Sequence, residues 1–174
     1  MKNILLISLL ICFSSNHSNI SENITDEQYK IINDLFSNEK NKKELYTYTD
    51  YSKTWAFTLL NYESLKNLLG PPCTKDGLIV KWENIFSNKE LKMLRDKIAH
   101  HKVMKLDNNK LSKNISLKKT IDDKTIIISV PEIINNYSVV KISGNKGELI
   151  IVAKKVNNKW EIICRKWVYQ VIDD

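Results

Sequence analysis

Residues 125–172 read TIIISVPEIINNYSVVKISGNKGELIIVAKKVNNKWEIICRKWVYQVI, and the punctuation of this stretch decides the fold. β-Branched and aromatic residues fill the runs 125–130, 137–143, 148–156 and 160–172, and such residues favour a pleated, half-buried surface. Pro131 closes the first run because proline has no N–H to give a sheet ladder. The turns Gly144-Asn145-Lys146-Gly147 and Asn157-Asn158-Lys159 separate the later runs with residues that tolerate positive φ. The pattern predicts consecutive antiparallel strands, a β-meander. Both faces of the last strand are partly apolar, with Trp160, Ile162, Cys164 and Val168 expected on one side and Ile163, Trp167 and Tyr169 on the other. A strand covered on both sides has this composition, so helices from the first half are expected to supply one cover.

Those helices carry their own signatures. Thr25-Asp26-Glu27-Gln28 is a capping box, in which the Thr25 hydroxyl accepts from the Gln28 amide and the Gln28 side chain returns to Thr25. Tyr29, Ile32, Leu35 and Phe36 follow at helical spacing, which predicts a helix over about residues 26–37. Ser87-Asn88-Lys89-Glu90 is a second box, with Phe86 and Leu91 placed for a hydrophobic staple. Leu91, Leu94 and Ile98 then mark one face of a helix over 88–100. Between the two helices, 45–49 alternates like a short strand, and 62–69 reads as a short helix stopped by Gly70-Pro71-Pro72. Residues 55–60 are left open between helix and strand, because period alone does not resolve them. Asp76-Gly77 marks a turn into a strand at 78–83, and a further short strand is expected at 115–117, before a turn at Asp122-Asp123. The fold class is α+β, with N-terminal helices packed on a C-terminal antiparallel meander of four to six strands.

The first twenty residues differ from the rest. Lys2 gives a short basic start, and residues 4–13 are apolar apart from Ser8. About ten apolar residues suit an export signal and fall well short of the roughly 20 that span a bilayer. The chain therefore divides into a signal at 1–20 and one domain at 21–174, and is expected outside the cytoplasm. Leu9-Leu10-Ile11-Cys12 resembles a bacterial lipobox, which would make Cys12 a lipidation site and the lipid a membrane anchor. Ile11 departs from that pattern, which places a small residue before the cysteine. Cleavage after Ser14 or Ser15 is the alternative. With Cys12 removed or acylated, Cys73 and Cys164 form an even pair in an oxidising compartment, either bridged or with Cys164 as a core thiol.

The chemistry-bearing residues are few. The net charge of +7 comes from 27 basic and 20 acidic residues, but the lysines are scattered, and no concentrated patch points to nucleic acid. Asp96 and His100 stand four apart on a helix, whereas His100 and His101 point about 100° apart; with no further His or Cys cluster they form no metal set. His100 and His101 instead suit the electronegative end of a helix. No glycine-rich phosphate loop, nucleophile elbow or zinc motif is present, so no catalytic residues and no cofactor are expected. Trp55, Trp82, Trp160 and Trp167 are candidates for a cleft or interface, against the ordinary fate of tryptophan in a core.

Two resemblances complete the reading. Trp82-Glu83-Asn84-Ile85-Phe86-Ser87, Ser129-Val130-Pro131, the Gly144 to Gly147 turn, Lys155 to Trp160, and Trp167 resemble small exported bacterial proteins of uncharacterised function, over residues 78–169. That resemblance implies an extracytoplasmic home and no activity. The hairpin ending in Asn158-Lys159-Trp160-Glu161-Ile162 is similar to the last strands of nuclear-transport-factor-2-like cone folds, which host both enzymes and binding modules. The expected function is an exported, non-catalytic protein that binds another protein or an envelope component, with an inhibitor or immunity role included. The alternative is a small hydrolase or ligand-binding enzyme with a cone-shaped sheet cavity.

Overall fold

The structure, a computed structural model, describes residues 23–39, 41–50, 85–100 and 102–165, and the backbone alone at 73–75, 78–80 and 166–170. The expected export signal, the helix at 62–69, Trp55 and Trp82 lie outside the described residues. Two helices are described, α1 (Asp26–Phe36) and α2 (Asn88–Ala99). Both begin at the capping boxes that the sequence announces, with Thr25 and Ser87 as N-caps in extended backbone. Each box closes in both directions. The Gln28 amide donates to Thr25 Oγ1 at 3.3 Å and the Thr25 amide to Gln28 Oε1 at 2.8 Å. The Ser87 amide likewise reaches Glu90 Oε2 at 2.7 Å. Two orphan amides are thus satisfied at each helix start. Phe86 is buried in the same cluster against which Leu91 packs, as a staple requires.

Nine strands follow in chain order: β1 (Lys43–Tyr46), β2 (Cys73–Lys75), β3 (Leu78–Val80), β4 (Ile115–Lys118), β5 (Thr125–Ile128), β6 (Glu132–Ile134), β7 (Tyr137–Gly144), β8 (Gly147–Val156) and β9 (Lys159–Gln170). β2 and β3 form a separate antiparallel pair. The others make one curled seven-stranded sheet in the order β4-β1-β5-β7-β8-β9, with β6 paired to β7. The meander β7-β8-β9 is there, and its second turn uses Asn157 and Asn158 at φ 46° and 63°, which matches the right-handed strand twist. Gly147 takes φ 117° at the first turn, a conformation that glycine adopts without a Cβ penalty.

The sheet is larger than the expected four to six strands, and it is mixed rather than antiparallel. β1 inserts between β4 and β5 and runs parallel to both. Parallel neighbours need long crossover connections, so sequence adjacency could not announce them. The insertion is held by Leu45, which is fully buried opposite Leu117 and Ile126. β6 was also unannounced: after Pro131 the chain pairs again through a tight turn at Asn135, φ 52°.

The two sheet faces carry separate cores. Tyr29, Ile31, Ile32, Leu35 and Phe36 of α1 pack with Ile128, Val140, Ile151, Ala153 and Trp160 on one face. Leu94 and Ile98 of α2 pack with Val139, Ile150, Val152, Ile163 and Cys164 on the other. Strand periodicity expected Cys164 on the same side as Trp160 and Ile162, and this is corrected by a bulge. Ala153 pairs with Ile162 while Val152 pairs with Cys164, leaving Ile163 as an extra residue. One extra residue inverts the facing of everything beyond it.

Candidate functional site

At one end of the sheet, β1 and β5 begin, β7 ends and β8 begins. There the chain leaves an open groove of about 640 Å³, within the range of small-ligand and peptide sites. Its floor is Ile126, Ile142 and Leu149, one residue from each of three neighbouring strands. All three share the α1 face, because Ile142 pairs with both Ile128 and Leu149, and Ile126 pairs with Leu45. They are half-buried and pack on the α1 core, and no described element lies over them. The rim carries Lys42, Lys43, Lys124 and Lys146, with Glu44 and Asp123 among them.

The rim charges are unequally compensated. Lys43 lies 3.3 Å from Glu39 and Glu44 lies 2.7 Å from Lys118. Lys42, Lys124 and Lys146 have no ion-pair partner among the described residues, which leaves three ammonium groups facing the single carboxylate of Asp123. Lys124 is presented by a braced turn. The Asp122 carboxylate accepts from the Lys124 amide at 3.0 Å and from Thr125 Oγ1 at 2.7 Å, and it pairs with Lys118 at 2.7 Å. Lys118 first, then Thr125 and the Lys124 amide, hold the Asp122 carboxyl far below the usual carboxylate range. The Asp122 and Glu44 carboxylates in turn raise Lys118 above the ordinary lysine value.

A second charged cluster lies on the α2 face. Lys141 is completely buried and bridges Asp50 Oδ2 at 2.7 Å and Glu148 Oε1 at 3.1 Å. Its backbone is pinned by Ser129, whose amide donates to the Lys141 carbonyl and whose Oγ accepts from the Lys141 amide, both at 2.9 Å. Its chemistry is structural: it joins the end of β1's extension at Asp50 to the meander.

The tryptophan and cysteine candidates fare differently. Trp160 is in the core, 4% exposed, with its indole Nε1 donating to Glu27 at 2.8 Å, and it lines no part of the groove. Lys155 leads in holding the Glu27 carboxyl below its ordinary value, with the indole adding to it. The side chain of Trp167 lies outside the described residues, as does that of Cys73. Cys164 is disulfide-bonded, and β2, which starts at Cys73, lies against β9. Cys12 and His101 lie outside the described residues. His100 caps α2, its Nδ1 2.6 Å from the Asp96 carbonyl. Among the described residues no group of three metal-binding side chains assembles, and no helix is long and apolar enough to cross a membrane.

No family model, curated protein or solved structure matches the chain. What the chain does must therefore be read from the geometry of the groove. Sequence reading missed that groove because its lysines come from three separate stretches, each too short to count as a patch. The one available signal was a lysine beside each strand boundary that the topology gathers at this end: Lys42, Lys124 and Lys146.

Proposed function

We propose that this chain is an exported, non-catalytic binding protein that engages a partner protein through the lysine-rimmed groove. The observation that carries this reading is an open apolar floor with a rim on which lysines outnumber carboxylates and Lys42, Lys124 and Lys146 have no ion-pair partner among the described residues. Apolar side chains left open to water gain on being covered, at about 25 cal/mol per Å², and rim charges give orientation and speed of encounter more than affinity. α1 and α2 pack on opposite faces of the sheet, which weighs against a hydrolase built around a hollow cone. An inhibitor or immunity role falls within the same reading.

Export rests on Lys2 and the apolar run at 4–13, with either a lipid on Cys12 or cleavage after Ser14 or Ser15. A disulfide at Cys164 fits an oxidising compartment, and Cys73 is the partner this reading assigns. Alkylation of the purified protein should then label Cys73 only after reduction.

The test is site-directed photo-crosslinking in cells expressing the chain. A crosslinker at Asn145 in the groove hairpin should capture one discrete protein, whereas one at Asn108 on a remote exposed turn should not. Equal capture from the two positions, or none from Asn145, contradicts the reading.

A further inference from the structure

Resting on that reading, we infer that the groove takes a short extended segment of the partner in which apolar side chains are flanked by carboxylates. The lining spans four successive strands, β1, β5, β7 and β8. At about 4.8 Å per strand the span is roughly 14 Å, which accommodates about four extended residues at ~3.3 Å each. The segment crosses the strands rather than adding to a sheet edge, so side chains carry its recognition.

The floor and rim specify its composition. Ile142 and Leu149 stand side by side with Ile126 one step along the strand on the same face, and this apolar patch asks for a branched apolar side chain. Topology places Lys42 at the β1 end, Lys124 at the start of β5 and Lys146 in the β7–β8 hairpin. Positive charge therefore stands at both ends and beside the middle, where carboxylates flanking the apolar residue would lie. Glu44 is drawn to Lys118, which it shares with Asp122. A bare polyanion would leave the floor wet and would meet Asp123, which lies beside Lys124 on the rim; a neutral apolar segment would leave three ammonium groups uncompensated. An amphipathic acidic segment satisfies both parts.

The test is a calorimetric titration of the full chain with the synthetic peptide Glu-Glu-Leu-Ile-Glu-Glu. Its comparators are a version with glutamine for each glutamate, a version with alanine for the leucine and isoleucine, and inorganic polyphosphate. The peptide should bind saturably with one site per chain. The glutamine and alanine versions should each bind roughly tenfold more weakly, as expected for losing several rim pairs or the apolar contact. The variant Lys42→Glu/Lys124→Glu/Lys146→Glu should lose roughly as much, while Lys89→Glu/Lys92→Glu/Lys113→Glu, with the same net charge, stays within about twofold of the parent. All six positions are exposed, so both variants should keep the parent circular dichroism spectrum.

Equal losses in the two variants would overturn the inference by showing a diffuse field instead of a site. Binding of the alanine peptide or polyphosphate as tight as that of the parent peptide would overturn it in favour of a polyanion, including an anionic envelope polymer. Neither result touches the crosslink from Asn145, which tests partner binding regardless of the ligand's chemistry.

Discussion

The two faces of the sheet are held by different physics, although alternate residues of the same strand build both. On the α1 face, Val140 meets an uncharged core, mainly apolar with the buried Ser138 hydroxyl beside Ala153, and the charged groups stand around its edge. There Trp160 donates through its amide to Asp34 and through its indole to Glu27, Gln28 donates to the Pro131 carbonyl, and Asn114 Nδ2 donates to the Phe36 carbonyl at the end of α1. On the α2 face, the next residue is Lys141, a buried charge balanced by acids from distant parts of the chain. That face also carries the disulfide-bonded Cys164, and α2 is tied to β6 through Lys97 and the Ile133 carbonyl. Both covers pack on apolar cores; around α1 the ion pairs Glu27–Lys155 and Asp26–Lys110 stand at the edge, whereas the α2 face carries a charge pair in its interior. The groove opens where the first cover stops, so its exposed floor belongs to the face that needs no charge inside it.

This contrast can be broken most directly at Lys141. Lys141→Ala removes the ammonium shared by the Asp50 and Glu148 carboxylates, and removing one partner of a buried pair costs about 3–5 kcal/mol; the lower end applies here because both acids remain partly exposed. Urea unfolding at neutral pH should show that loss, and a loss below about 1 kcal/mol would mean that the α2 face does not depend on the cluster. Ile151→Ala probes the other face and should cost about 2–4 kcal/mol by leaving a cavity under α1. Urea unfolding checks this as well, and a loss below about 1 kcal/mol would mean that the α1 face does not rest on that packing. Smaller effects come from the caps, where Thr25→Ala and Ser87→Ala should each cost about 1 kcal/mol in the same denaturation.

The smallest effect is at the acid limb. Asp122, Glu27 and Glu90 all have carboxyl groups held below their ordinary values, by Lys118, by Lys155 and by the Ser87 amide respectively. A lowered folded value means that the stabilisation is fully present above the unfolded carboxylate range, near pH 4, and is lost as pH falls through the folded values. Asp122→Asn should flatten the stability curve below about pH 4 and leave it unchanged above pH 6 in slope. An unchanged acid limb would show that the turn carrying Lys124 is not braced by that carboxylate.

Local chemistry was legible where the determining residues are close in sequence. The capping boxes at Thr25 and Ser87, the stop at Pro131 and the asparagine turn at Asn157-Asn158 each act within a few residues, and each is found where the sequence puts it. What escaped depends on distant pairing. The parallel insertion of β1 joins Leu45 to Leu117 and Ile126, and the Lys141 cluster joins Asp50 to Glu148. The Ile163 bulge lies between, since it is local in position but set by the partner strand, and it moved Cys164 to the opposite face. The groove was illegible for the first of these reasons: its apolar patch exists only once β1, β5, β7 and β8 stand side by side.

The measurement that bears most directly on the groove as a binding site is amide chemical-shift mapping of the labelled full chain during titration with Glu-Glu-Leu-Ile-Glu-Glu. The account predicts saturable shifts centred on Lys42, Lys124, Ile142 and residues 144–149, with little change around α2. Shifts spread evenly over the exposed lysines, or concentrated on α2, would contradict it.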